Sequence, residues 1–216
     1  MATVKGPLLS MDASGQIAKT QVYGSWKGIA YSRRYVVPSN PKSTEQTLTR
    51  NTFKFLNALY QVSPSDFRAP WAEAVKGRPL TDRNLFLQKN NGLLREETSL
   101  DGMIGSPGAK GGLPADTVLT HTSTTITATL AAPASLPSGW TVVKGIIVVV
   151  KEQDPQTDTE YDMKTASDSA TPFAPQVTGL TTATEYAVAA WLVYQRSALS
   201  TDLAYGPASF VLNTTP

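Results

Sequence analysis

The sequence contains no cysteine and a single histidine, His121, in 216 residues. Without thiols there is no disulfide framework and no thiolate nucleophile. With one imidazole, a zinc site would need carboxylates for most of its ligands. Charge is also sparse. Asp, Glu, Lys and Arg make up 17% of the chain, against roughly 25% in an average soluble domain, so more of the surface than usual must be neutral or covered. The longest apolar run, residues 145–150, falls far short of the roughly 20 residues a membrane helix needs. The opening MATVKGPLLS has one lysine and too short an apolar stretch for a secretory signal. What is present, 41% apolar residues, suits a folded chain with a sizeable core.

These shortages leave little for catalysis. His121 lies in a threonine-rich run with no acid close in sequence and reads as a surface residue. The segment DPQTDTEYD brings Asp154, Asp158, Glu160 and Asp162 together with the alternation of a calcium loop. It lacks that loop's central glycine and closing glutamate, so it reads as a solvated hairpin tip. GMIGSPGAKGG sets a lysine among glycines without the Gly-Lys-Ser/Thr ending of a phosphate loop. Ser106 and Ser138 have no base in reach, and LPSGW around Ser138 is not a nucleophile elbow. The sequence therefore predicts a protein that is not an enzyme, with no catalytic, metal-binding or cofactor-binding residues and no cofactor.

The small net charge of +2 conceals a division. Residues 1–112 hold fifteen Lys/Arg and eight Asp/Glu, whereas residues 113–216 hold four and nine. Composition changes at the same point. GMIGSPGAKGGLPAD is rich in glycine and proline, as hinges are, and everything beyond it is rich in Thr, Ala and Val. Two domains are expected: 1–112, an N-terminal arm, β-hairpin and helical anchor, and 113–216, an all-β sandwich.

In the first, Val22, Tyr23, Trp26, Ile29, Tyr31, Tyr35, Val36 and Val37 favour strands. Gly24-Ser25 or Lys27-Gly28 supplies a turn. Alternation puts Ile29, Tyr31, Arg33, Tyr35 and Val37 on one face, where the guanidinium of Arg33 can stack on rings, with Arg34 on the other. A helix follows, capped by Ser43 with Gln46 three residues on. It carries the stripe Leu48, Phe55, Leu59 and Val62, widened by Phe53, Leu56 and Tyr60, and ends at Pro64. A short helix is expected over 71–76, closed by Gly77, and another over 82–90 behind a Thr81 cap. The residues up to Lys19 show little periodicity and read as an arm that orders on a partner. This is a small α+β unit. Read as helix-turn-helix, its segment TDRNLFLQKNNG offers only Arg83 and Lys89 to phosphates.

The second part reads as strands with turns every 8 to 14 or so residues: TTITATLAAP, WTVVKGIIVVVKEQ, EYDMKTA, APQVTGL, TEYAVAAWLVYQ and PASFVLNTTP. Within it, GLTTATEYAVAAW resembles the corner between two late strands of fibronectin type III domains, in Gly179, Leu180, Thr184, Tyr186 and Val188. Thr182 stands where that family has proline, and the tryptophan usual on the second strand is missing. The resemblance implies a fibronectin-III/Ig-like sandwich in which the Tyr186 hydroxyl bonds to backbone at the corner. It implies no particular function.

Two strands of this sandwich are apolar on both faces. Ile146, Val148 and Val150 are expected to point in and Ile147 and Val149 out. Tyr186, Val188 and Ala190 are expected in, and Ala189, Trp191 and Val193 out. The outward set predicts an apolar assembly surface, covered by a partner or by the N-terminal part, unless a bulge at Gly145 turns part of a strand inward. Ile147, Val149, Trp191 and Val193 are thus candidate interface residues.

The other candidates lie in GSWKGIAYSRRYVVPSNP: Trp26, Lys27, Tyr31, Arg33, Arg34 and Tyr35. The mixture of rings and cations could serve single-stranded nucleic acid, but its density is modest. The wider pattern, with Gly15, Trp26, Lys27, Gly28, Arg33 or Arg34, Pro38, Asn40, Pro41, Lys42, Gln46 and Arg50, resembles small virion structural proteins of tailed bacteriophages. That resemblance implies a structural role in the virion, assembled in the host bacterial cytoplasm. Capsid decoration or cementing stands first, and head–tail or tail attachment second. The implied partners are other virion proteins, of capsid or tail, and copies of the chain itself, with neither membrane nor nucleic acid. Two alternatives belong to other classes: a glycan- or host-surface-binding module with Trp140, Tyr161, Tyr194 or Tyr205 as platforms, and a DNA-binding module in residues 1–95.

Overall fold

A computed structural model describes residues 3–4, 13–26, 29–110, 112–113, 115–158, 161–197 and 199–215. The chain divides into two compact units, Met1–Lys42 and Ser43–Pro216. The division falls just before the first helix. Around Gly112, where composition suggested a boundary, the chain stays within one unit, because the helices and the sandwich share a core.

The first unit is an antiparallel sheet in the order β1-β2-β3-β4, built from β1 (Thr3–Val4), β2 (Ala13–Ile17), β3 (Gln21–Trp26) and β4 (Ile29–Arg34). Part of the expected arm is therefore strand. The turn between β2 and β3 closes with the Thr20 amide donating to the Ile17 carbonyl at 2.9 Å. Ala18 and Lys19 both take positive φ, 43° and 54°, the geometry of a hairpin turn normally signalled by Asn-Gly. The absence of that signal is why alternation did not reveal β2. β3 and β4 pair from Gln21↔Arg34 to Trp26↔Ile29, which sets Lys27-Gly28, outside the described residues, between them. β4 ends at Arg34, so Tyr35 and Val37 do not extend its face.

The second unit begins with α1 (Thr44–Val62), where the Ser43 side chain accepts from the Gln46 amide as the capping pattern predicts. α1 buries Thr52, Phe55, Leu56, Leu59 and Tyr60, while Phe53 and Val62 are exposed. The apolar stripe is thus narrower than expected. α2 (Ser65–Ala74) starts at Pro64 and tolerates Pro70 inside it, so the helix begins a turn and a half before Trp71. α3 (Asp82–Asn90) is capped by Thr81.

The Gly/Pro-rich stretch read as a hinge is β5 (Ile104–Ala109). It lies at the edge of the larger sheet, with Pro107 opposite Pro207, a place where a residue without an amide hydrogen is tolerated. Gly105 is required there. A Cβ on it would sit 2.9 Å from that of Ala189 and 3.0 Å from the Phe210 ring. The Trp71 indole also donates to the Gly105 carbonyl at 3.0 Å.

The remaining strands are β6 (Asp116–His121), β7 (Ile126–Ala131), β8 (Trp140–Lys151), β9 (Met163–Asp168), β10 (Gln176–Val177), β11 (Glu185–Arg196), β12 (Leu199–Ser209) and β13 (Val211–Thr214). One sheet runs β10-β7-β6 and the other β5-β12-β11-β8-β9, with β13 also on β11. Together they form the expected fibronectin-III/Ig-like sandwich. Its corner forms as the motif implies: the Tyr186 hydroxyl accepts from the Thr181 amide at 2.9 Å, and Gly179 turns with φ +71°.

The larger sheet is covered on both faces. Ile147, Val149, Tyr186 and Val188 pack with Ile126 and Ala128 of the smaller sheet. Ile146, Val148, Val150, Ala189, Trp191 and Val193 pack with Phe55, Leu59, Phe67, Trp71 and Phe86 of the helices. The unit is three layers deep: helices, large sheet, small sheet. Two expectations change. The phase of β8 is opposite to the one assigned, with Ile147 and Val149 inside the sandwich. Register sets it, since Ile147 lies opposite Ala190 and Val149 opposite Val188, and cross-strand partners share a face. Trp191 and Val193 do face out of the sandwich, but the chain's own helices cover them. All four are at most 2% exposed, so Ile147, Val149, Trp191 and Val193 form no free assembly surface.

Trp191 is therefore core. Trp191→Ala is expected to cost about 3–5 kcal/mol, read as a lowered urea midpoint with an unchanged slope. Trp191→Phe should cost less. The indole N–H has no partner among the described residues, so removing it forfeits no hydrogen bond.

Candidate functional site

With the sandwich face sealed, three surfaces remain to be weighed: the N-terminal sheet, the loop aromatics and the acidic end of the large sheet.

The N-terminal sheet carries most of the sequence candidates. Tyr31, Arg33 and Arg34 are exposed and Tyr35 is half-buried. Register puts Arg33 opposite Val22 and Tyr31 opposite Gly24, on one face, and Arg34 opposite Gln21, on the other. The Tyr31 ring lies across the strand over Gly24, where a Cβ would meet its hydroxyl at 2.8 Å. The glycine leaves the ring room to lie down across the strand. Trp26 belongs to β3 opposite Ile29, and Lys27 lies outside the described residues. None of the residues of this unit whose burial is described is buried, unlike those of the large sheet.

The loop aromatics do not form a platform. Tyr194 and Tyr205 are 3% and 6% exposed, and the Tyr194 hydroxyl donates to the Leu113 carbonyl at 2.9 Å. Tyr161 packs on Phe55 with ring centroids 5.5 Å apart. Trp140 is half-buried beside Leu136 and Tyr194. A groove of about 440 Å³ opens between β6 and β13, over Val188 and Ala190. Its lining is small side chains with no charged group, and Thr117 and Ser209 are its only hydroxyl-bearing residues.

At the end of the large sheet where β8 leaves and β11 enters, acids gather. The Glu152 amide donates to the Glu185 carbonyl at 3.0 Å, and the loop beyond carries Asp154, Asp158 and Asp162. This loop is not a free tip. Gln156 Nε2 donates to the Thr52 hydroxyl at 2.8 Å and to the Arg95 carbonyl at 3.0 Å, which docks the loop on α1. Asp154 and Asp158 serve the loop's own backbone, with Asp158 accepting from the Asp154 amide at 2.7 Å. Glu160 lies outside the described residues. No three His, Cys, Asp or Glu among the described residues are grouped to hold a metal ion. Ser106 is buried and donates to the Gly206 carbonyl at 2.6 Å. Ser138 and His121 are exposed. Lys110 is held by Glu73 and Asp202 at 2.6 and 2.5 Å, which joins α2, β5 and β12. This cluster is structural, and burial of the Glu73 carboxyl is outweighed by hydrogen bonds from Lys110 and Lys76 that hold it below the usual range.

No family model matches the chain, and no curated protein matches it. Solved structures similar to about half of it include the FN5 domain of Drosophila Lar, at 20% identity over 49% of this chain and 96% of that one, with a TM-score of 0.34. The fn3 domain of the human collagen alpha-1(XX) chain is 16% identical over 51% and 90%, with a TM-score of 0.34. A myokine structure is 18% identical over 49% and 97%, again at 0.34.

The acidic end makes a pH prediction. Burial of Glu152, together with Glu185 and Asp101 nearby and against the Leu100 amide that bonds it, raises its carboxyl above the usual value. A carboxyl raised on folding favours the native state below its unfolded pKa, and that contribution is lost as pH rises through the folded value. Glu152→Gln is therefore expected to raise stability at neutral pH, with the gain disappearing toward about pH 4, in urea titrations across that range.

Proposed function

We propose that the chain is a non-enzymatic structural component of a tailed-phage particle, acting through protein–protein contacts. Capsid decoration or cementing stands ahead of a head–tail or tail-attachment role. The observation that carries this reading is the first unit. The unit that holds most of the residues resembling virion proteins is a four-stranded sheet, and none of its residues whose burial is described is buried. Sheets of this size gain independent stability by packing a face on something else, so a protein surface is the natural complement. The second unit supports the same reading from the other side. Its apolar strands are already covered within the chain. Its sandwich is an architecture that serves as an interaction module in many settings. On this reading the partners are other virion proteins and copies of the chain, and the protein resides in the virion after assembly in the host cytoplasm.

Co-purification is the direct measurement. The chain should remain with intact particles through a density gradient, at a copy number fixed by the particle's symmetry. Absence from purified particles, with the chain left in the soluble lysate, would remove the proposal. Retention of bound glycan by purified chain without particles would favour the surface-binding alternative.

A further inference from the structure

This inference rests on the contact role proposed above and names the surfaces that meet. We propose that the N-terminal sheet of one copy docks on the acidic end of the large sheet of a second copy, in a head-to-tail contact.

Charge argues for that occupant. The first 42 residues hold six Lys/Arg against one Asp. Residues 113–216 hold four against nine, so the chain carries both halves of a complementary pair. The basic half is presented on strands, with Arg33 and Arg34 exposed on opposite faces of β4. The acidic half is concentrated where β8 passes to β9 and β11 begins. Asp101, Asp158, Asp162 and Glu185 are exposed there, and Glu152 feels the charges of Glu185 and Asp101. Lys54 of α1 lines the same hollow as Asp158, and Lys151, opposite Tyr186, is an exposed cation at this end; Asp162 and Glu185 are the acids changed in the test. Both surfaces meet a requirement of the other. None of the sheet's residues whose burial is described is buried, and a sheet of this size gains from a face to pack on. The acidic end holds like charges together and is relieved by a neighbouring cation.

The two surfaces differ, so the contact is heterologous. Such contacts close into rings or run on as arrays, according to the rotation between copies. Electrostatic complementarity sets register and approach in contacts of this kind.

Sedimentation velocity on the full-length chain tests this. Wild type is expected to self-associate, more strongly at low salt than at high. Arg33→Glu with Arg34→Glu should weaken association at least about tenfold, and so should Asp162→Lys with Glu185→Lys. Mixing the two double variants should restore it, because each then offers the charge the other lost. Restoration on mixing also guards against misfolding, which no mixture would repair. A chain that stays monomeric at every salt concentration would overturn the proposal, as would association untouched by both charge reversals. Neither result depends on particle binding: a monomer that still co-purifies with particles would retire this contact and leave the structural role standing.

Discussion

Two adjacent strands that are apolar on both faces set the terms for the second unit. β8 and β11 pair along nearly their whole length, from Tyr186↔Lys151 to Arg196↔Trp140. Alternate residues on either strand cannot be left in water, at roughly 25 cal/mol per Å² of apolar surface. A sandwich covers only one face of such a sheet. The other requires a third layer, and α1, α2 and α3 supply it with Phe55, Phe67, Trp71 and Phe86, rings whose centroids lie between 5.1 and 6.5 Å from neighbouring rings. The helices are thus not a separate anchor followed by a sandwich. They fold with it as one unit.

This constraint accounts for what could be read from residues and what could not. Capping chemistry is local, so α3 and the start of α1 were legible in Ser43, Gln46 and Thr81. Most sandwich strands and the Tyr186 corner were legible for the same reason, but β6 and the start of β12 were not. β5 was not, because Gly105, Pro107 and Gly108 spell a loop in isolation and make sense only at a sheet edge against Phe210 and Pro207. The phase of β8 was illegible in principle. A strand apolar on both faces has no internal mark of inside and outside, and only its register with β11 decides. The candidate interface inherited that ambiguity: two of its residues belong to the sandwich interior and two to the helix layer. Tyr31, Arg33 and Arg34 were legible as surface because an arginine pair on a short strand has nowhere inside to go.

The first unit reverses the economy of the second. Its strands mix apolar residues such as Val22, Tyr23 and Tyr31 with polar and small ones, Gly15, Gln16, Ser25, Ala30 and Ser32, and none of these is buried. The unit also carries charge, six Lys/Arg against one Asp in residues 1–42. A sheet of this composition gains little from its own chain and more from a surface that offers acids and a flat face. The second unit covers its apolar strands within itself, whereas the first presents exposed arginines on both faces of β4.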